Sequence, residues 1–290
     1  MNRIWNNKKL LNVLSDKYIK SQSKKGIRFH ETKQFWLSKK SKLIYNKRLI
    51  ENNSMKYPEY FTAPIHTYNN GHLNWNQAFQ SSCHMEGSAL MSVKDIKNDQ
   101  SFTCSPEEAY SIYKTHIFDN IKAELEDINP NEIVDLGCGT GENTEMLALN
   151  YPNAFVTGLD LSPYYLSIGM YKYSDLNIQW IHANMEFTEL AENSIDVVII
   201  CYAFHEMLPE AIQGTINEAH RILKKNGKII IIDMDSEKLP KFPSFIDISE
   251  PHLKKYRNVR ILDMLSNATF IKYQRKHLHQ MSSLFVGTKS

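Results

Sequence analysis

"IVDLGCGTGENTEML" spans Ile133 to Leu147, and its reading decides the fold. An apolar run closes on Asp135 and Leu136, glycines follow at 137, 139 and 141, and a helix-forming stretch begins at Glu142. Strand, tight turn and helix in that order surround a nucleotide-like ligand. Glycine permits positive φ and lets a ligand approach the main chain with no Cβ in the way. Asp160 closes the next predicted strand, 154–160, where a carboxylate accepts hydrogen bonds from ribose hydroxyls. A helix N-cap or plain turn role is the alternative for Asp160. A dinucleotide site usually spaces its glycines G-x-G-x-x-G. Here the spacing is G-x-G-x-G between two acids, Asp135 and Glu142, and that charge suits a ligand carrying an ammonium and a sulfonium better than a pyrophosphate.

Beyond this loop the chain alternates. Strands are expected at 132–136, 154–160, 178–182, 195–201 and 228–234, with helices at 142–150, 163–172 and 208–224, which gives βαβ units and a parallel α/β sheet. "IDVVIIC" and "KIIIIDM" are nearly continuous in Val and Ile, as strands covered on both faces require. At the tail, "NVRILDMLSNATF" reads as a helix. "IKYQRKHL" and "SSLFVGTK" then read as two strands, and the short gap between them permits only an antiparallel hairpin. Upstream, "PEEAYSIYKTHIFDNIKAEL" (106–125) has helical spacing, Ser105 as N-cap and Glu108 completing a capping box. "YPEYFTAPIHTYNNGHLNW" is rich in turn residues and is expected to be mostly extended chain and turns.

The 290 residues include 42% hydrophobic side chains, enough for a sizeable core in one large or two modest domains. No apolar run reaches the roughly 18–20 residues of a membrane span, and no secretory h-region is visible. Four separated cysteines (83, 104, 138, 201) indicate neither a zinc site nor a disulfide framework, and no metal is expected. Charge is uneven. Residues 1–50 hold fourteen Lys or Arg against Asp16 and Glu31, about +12, and the remainder carries about −10. Three readings compete for this head: a solvated extension, an organelle-targeting or anionic-surface segment with Ile4, Leu11, Val13 and Leu14 partly on one side of a helix, or a nucleic-acid contact. The location expected is cytoplasmic, or organellar if the head is a targeting segment. The division expected is a basic extension (1–55), an aromatic lid and helical segment (56–125) and a ligand-binding domain (126–290).

Four segments, "VDLGCGTG", "GLDLSPYYL", "NSIDVVIICYAFHEM" and "EAHRILKKNGKIIIIDMD", resemble in order the motifs of class I S-adenosylmethionine-dependent methyltransferases. The resemblance covers roughly 126–290. It implies a Rossmann-like seven-stranded sheet with an antiparallel C-terminal hairpin, and S-adenosylmethionine as cofactor. Asp135, Gly137 and Gly139 would cradle its methionine end, with Cys138 and Gly141 in the same loop. Asp160 and Leu161 would hold the ribose and flank the adenine, and Asn184 and Met185 would lie beside the adenine. Many members have Asp where Asn184 stands, and Lys-Pro-Gly-Gly is frequent where this chain has "KKNGK". "FHEM" followed by "LPEAIQGTINEAHRILKKNG" resembles the ubiquinone and menaquinone type of small-molecule methyltransferase. The 57–75 segment resembles the aromatic stretch ahead of the catalytic domain in uncharacterised plastid and cyanobacterial members.

The resemblance places the end of the fourth strand against the transferred methyl, so Tyr202, His205 and Glu206 are the candidate catalytic residues. His205 has the near-neutral reference pKa of a general base, and a structural histidine is the alternative. Tyr60, His66, Tyr68 and Trp75 are candidate lid residues, together with Tyr57, Phe61 and His72; surface packing is their alternative. A small-molecule acceptor leads. "CYAFHEM" stands where amino-methylating enzymes of nucleic acids resemble one another in Asn/Asp-Pro-Pro-Tyr, so a nucleic-acid partner is not expected. RNA or protein, docked on the basic head, is the second reading.

Overall fold

The computed structural model describes residues 8–65, 71–239, 252–279 and 281–290. Its sheet has seven strands: β1 (Glu132–Leu136), β2 (Phe155–Asp160), β3 (Ile178–His182), β4 (Ile195–Cys201), β5 (Leu223–Met234), β6 (Ile271–His279) and β7 (Ser282–Thr288). The order is β3-β2-β1-β4-β5-β7-β6. β1 to β5 pair in parallel, and β7 lies antiparallel between β5 and β6. The tail hairpin therefore folds back so that its second strand, the apolar one, takes the inner place and the polar β6 becomes the edge. An edge strand of charged residues resists further strand addition.

Period-two alternation assigns each strand residue to a layer. Val134, Val198, Ile200, Ile229 and Ile231 face one core, which holds Ile212, Ile216 and Ala219 of α9 (Pro209–Ile222). Ile133, Val197, Ile199, Ile230 and Ile232 face the other. That second core is closed by α5 (Trp75–Ile96), α6 (Pro106–Ala123) and α7 (Glu142–Asn150). Ser105 caps α6, its Oγ accepting the Glu108 N–H at 3.1 Å.

The turn-rich reading of 57–75 holds only in part. A single helical turn, α4 (Glu59–Thr62), interrupts it, and α5 begins at Trp75 because the Asn74 side chain accepts the Gln77 N–H at 2.8 Å. An asparagine that signals a turn also serves as an N-cap.

The basic head is docked. It forms α1 (Lys8–Ser23), α2 (Phe29–Ser38) and α3 (Lys40–Ile50). Trp36 and Leu43 are buried with Ala78 and Phe79 of α5 and Ile168 of α8 (Pro163–Lys172). Burying a leucine contributes about 2 kcal/mol, and Asn46 Nδ2 adds a bond to the Ser167 carbonyl at 3.2 Å. The solvated-extension reading is thus corrected for residues 27–50: Ile27, Phe29, Trp36 and Leu43 are buried against apolar partners. Ile4 lies outside the described residues, as do the side chains of Leu11 and Leu14.

His182, at the end of β3, ties this head to the sheet. Its Nδ1 accepts the Asn52 N–H at 2.8 Å, so Nε2 carries the proton and donates to the Leu161 carbonyl at 3.1 Å. Burial pushes its pKa down and keeps the ring neutral.

Candidate active site

The strand order reverses direction between β1 and β4, with β2 and β3 to one side and β5 to the other. In parallel sheets a ligand crevice opens beyond the carboxyl ends at such a point. The glycine loop leaves β1 there, and residues 202–206 leave β4 beside it.

The loop is tied to β2. Gly137 and Cys138 both donate N–H to the Leu159 carbonyl, at 2.8 and 3.0 Å, and Gly139 N–H donates to Asp160 Oδ2 at 2.9 Å. The other Asp160 oxygen accepts the Ser162 N–H at 2.7 Å, at the start of α8. Burial raises the pKa of Asp160; the charges of His72 and Glu206 act on it in opposite directions, so all three groups share one neighbourhood.

Gly137, Gly139 and Gly141 all have positive φ, for different reasons. A Cβ on Gly137 would meet Ala203 at 3.3 Å and the Met185 methyl at 3.6 Å. At Gly139 it would meet nothing within 4 Å, so this is the face open to a ligand. At Gly141 it would lie 2.4 Å from Cη2 of Trp180 on β3. The third glycine therefore serves the indole beneath the loop.

The two acids of the loop differ in availability. Glu142 is buried, which pushes its pKa up, but Lys172 Nζ at 2.6 Å and the Thr140 hydroxyl bring it below the ordinary carboxylate value. Among the described residues Asp135 has no cation beside it: Thr144 Oγ1 donates to it at 2.6 Å, and burial, with Asp160 and Glu142 adding, pushes its pKa up to about 7. Cys138 is turned inward, its Sγ 3.2 Å from the Cβ position of Gly158, and burial holds its thiol well above the usual range. Leu161 presents its carbonyl to His182. Asn184 is engaged locally, its Oδ1 accepting the Glu186 N–H at 3.0 Å.

Beyond β4, His205 Nδ1 lies 2.7 Å from Asp233 Oδ1 at the end of β5. Asp233 is fully buried, and it also accepts the N–H groups of Phe204 and Met234, both at 2.7 Å. With Nδ1 on the carboxylate, Nε2 is the ring atom turned toward Glu206, 4.0 Å from its Oε1. The second oxygen of Glu206 is 2.8 Å from His72 Nε2. A row Asp233, His205, Glu206, His72 thus crosses the carboxyl ends of the strands into the aromatic segment.

Tyr202 does not join the row. With φ of 53° it directs its ring to the opposite sheet face, 6.1 Å from the ring of Tyr113, and its hydroxyl to His279 Nε2 at 3.2 Å. Among the lid residues, Tyr60 donates to Glu186 Oε1 at 2.6 Å, and Phe61 packs 5.3 Å from the His72 ring. Trp75 sits in the first turn of α5 against Tyr164, ring centroids 4.9 Å apart. His66 and Tyr68 lie outside the described residues. Asp233 and Glu186 were not singled out from the sequence. An acid ending a parallel strand, as in "IIIIDMD", is the signal that marks Asp233.

A mostly parallel sheet with a glycine loop at its switch point, tied to the acid that ends the next strand, defines an α/β protein of the nucleotide-binding type. The family model described as "Methyltransferase domain" matches residues 133–227. An uncharacterised methyltransferase of Synechocystis is 30% identical over 165 residues, covering 55% of this chain and 76% of its own. A demethylmenaquinone methyltransferase of Listeria monocytogenes is 31% identical over 112 residues, covering 37% of this chain and 46% of its own, so the chain spans about half that relative's length. Among solved structures, phosphoethanolamine N-methyltransferase 2 of Haemonchus contortus in complex with S-adenosyl-L-methionine superposes with a TM-score of 0.53 at 12% identity, covering 77% of this chain and 61% of that one. A putative O-methyltransferase of Nostoc punctiforme gives 0.51 at 14% identity, covering 78% and 76%. At such identities the likeness is one of fold. The chain belongs to the S-adenosylmethionine-dependent methyltransferases.

Proposed function

We propose that this protein transfers the methyl group of S-adenosylmethionine to a small-molecule acceptor that must lose a proton, with His205 as general base. The observation that carries the proposal is the buried Asp233 carboxylate on His205 Nδ1, which commits the other ring nitrogen to face Glu206. The loop fits the cofactor. Gly139 offers open main chain, Asp160 places two oxygens for ribose hydroxyls, and Asp135 offers an unneutralised carboxyl for an ammonium. Leu161, Asn184 and Met185 are assigned to the adenine end.

Bound, the cofactor supplies an electrophilic methyl on a sulfonium. The protein's share is to align the acceptor and exclude water. His205 Nε2 takes the acceptor's proton, Asp233 stabilises the imidazolium, and the Glu206–His72 pair holds the aromatic segment over the strand ends. Tyr60 and Phe61 supply rings for an apolar or aromatic acceptor. The small-molecule reading is supported by the relatives named demethylmenaquinone methyltransferase and by the "CYAFHEM" strand end. It is tested by incubating the protein with methyl-deuterated S-adenosylmethionine and host extract, then separating metabolites from macromolecules before mass spectrometry. The expected label is in the metabolite fraction; label confined to RNA or protein overturns the reading.

Asp135 makes cofactor binding pH-dependent. Its pKa in the folded protein, about 7, lies above its unfolded value, so the fold favours the protonated form and this contribution to stability is lost as pH rises through about 7. An ammonium requires the ionised form. Binding is expected to release about one proton below pH 7, and affinity is expected to rise about tenfold per pH unit until it levels above 7. Titration calorimetry in two buffers of different ionisation enthalpy measures the proton, and heats independent of buffer sink the assignment.

A further inference from the structure

Helices α2 and α3 turn one side to α5 and α8 and the other to solvent. Exposed on these two helices are Phe35, Leu37, Tyr45 and Leu49, by 51, 38, 54 and 61%. On α3, Lys42, Tyr45 and Leu49 stand at i, i+3 and i+7 and share one exposed side, while Leu43 and Asn46 are buried. Five of the eleven large apolar side chains left exposed among the described residues fall within 13–49. Scattered exposed apolar residues are ordinary, whereas a concentration of them marks an interaction surface.

The same surface is cationic. Lys40, Lys42 and Arg48 are exposed, and among the described residues it is Arg28 and Lys47 of this segment that pair with carboxylates, Glu107 and Glu51. Lys39 Nζ stands 5.8 Å over the Phe35 ring and Lys42 Nζ 5.3 Å over the Tyr45 ring, so charge and apolar surface are interleaved. The head's charge of about +12 opposes the −10 of the remaining chain, which directs this side of the molecule toward an anionic partner.

We propose that the exposed surface of α2 and α3 binds an anionic lipid bilayer. Lys40, Lys42 and Arg48 meet headgroups, while Phe35, Leu37, Tyr45 and Leu49 enter the boundary with the acyl chains. Leu37 and Leu49 favour lipid over nucleic acid. An aliphatic side chain offers a base neither a π-face nor a hydrogen bond, but it gains in a bilayer interface. Two signals, basic and apolar, are what reversible membrane attachment requires. The proposal is independent of the acceptor's identity.

The full-length protein is sedimented with vesicles of phosphatidylcholine alone and of phosphatidylcholine with phosphatidylglycerol, at low and high salt. Retention is expected on the anionic vesicles and is expected to fall with salt. Removing one charge, as in Lys42→Ala, is expected to weaken it about fivefold. The pair Leu37→Ser and Leu49→Ser is expected to weaken it more than about tenfold, with melting temperature and cofactor affinity unchanged. No retention at low salt overturns the proposal. So does retention that ignores the serine pair, which reports bare electrostatics, and so does tighter binding to single-stranded RNA that ignores the same pair.

Discussion

Exchanging His205 for Ala is expected to lower kcat by about 10²- to 10⁴-fold while leaving the affinity for S-adenosylmethionine unchanged. Asp233 holds the ring's Nδ1 and its Nε2 faces Glu206, so on the proposed role its removal acts on the acceptor's proton rather than on cofactor contacts. Added imidazole should restore part of the activity of His205→Ala, a result that a structural histidine would not give. Asp233→Asn is the companion variant, since Asp233 positions the base. Its carboxylate accepts from His205, Phe204 and Met234. An amide has one acceptor oxygen in place of two, so a buried donor is orphaned at a cost of about 1–3 kcal/mol. The variant should lose kcat and melt earlier, again with cofactor affinity kept. Joint loss of turnover and cofactor binding in His205→Ala would remove the base assignment.

The second large effect separates two glycines of one loop. Gly141→Ala puts a methyl 2.4 Å from the Trp180 ring at a φ of 88°. That indole is walled by glycines, with Cβ positions on Gly158 and Gly169 only 3.0 and 2.7 Å away, so it has little room to retreat. Backbone strain and overpacking together are expected to cost about 3 kcal/mol, and Trp180→Leu in the same chain should recover the packing part. Gly139→Ala has no such neighbour. It should cost about 1 kcal/mol of backbone strain yet weaken cofactor binding far more than that, because the methyl stands on the open face of the loop. Thermal melts paired with cofactor titrations decide the matter: equal melting losses, or a Gly139→Ala chain that binds normally, would refute this division of roles.

The parallel half of the fold was legible because local chemistry encodes it. "IVDLGCGTGE" announces strand, loop and helix, and the Val/Ile runs of β4 and β5 announce burial on both faces. His205 and Glu206 were reachable because they end one such strand. Their partners were not. Asp233 is 28 residues from His205, and Asn52 is 130 from His182; both pairings exist only once strand order and helix docking are fixed. Composition also suggested a boundary near residue 55 and could not show the contacts across it, since charge is a property of the exposed helix positions while Trp36, Leu43 and Asn46 make the buried contacts. Tyr202 shows the limit at a strand end: one residue of left-handed backbone sends its side chain across the sheet.

The His182 bridge bears on maturation of the polypeptide. A protease that trimmed the chain at the composition boundary would remove the Asn52 N–H from a buried imidazole and uncover Phe79 and Ile168. The bared ring would relax its grip on the Leu161 carbonyl, one residue past Asp160. A processing cut that left this packing and the cofactor site intact would therefore fall ahead of Tyr18, which with Ile19 packs against the buried Ile27, Phe29 and Cys83.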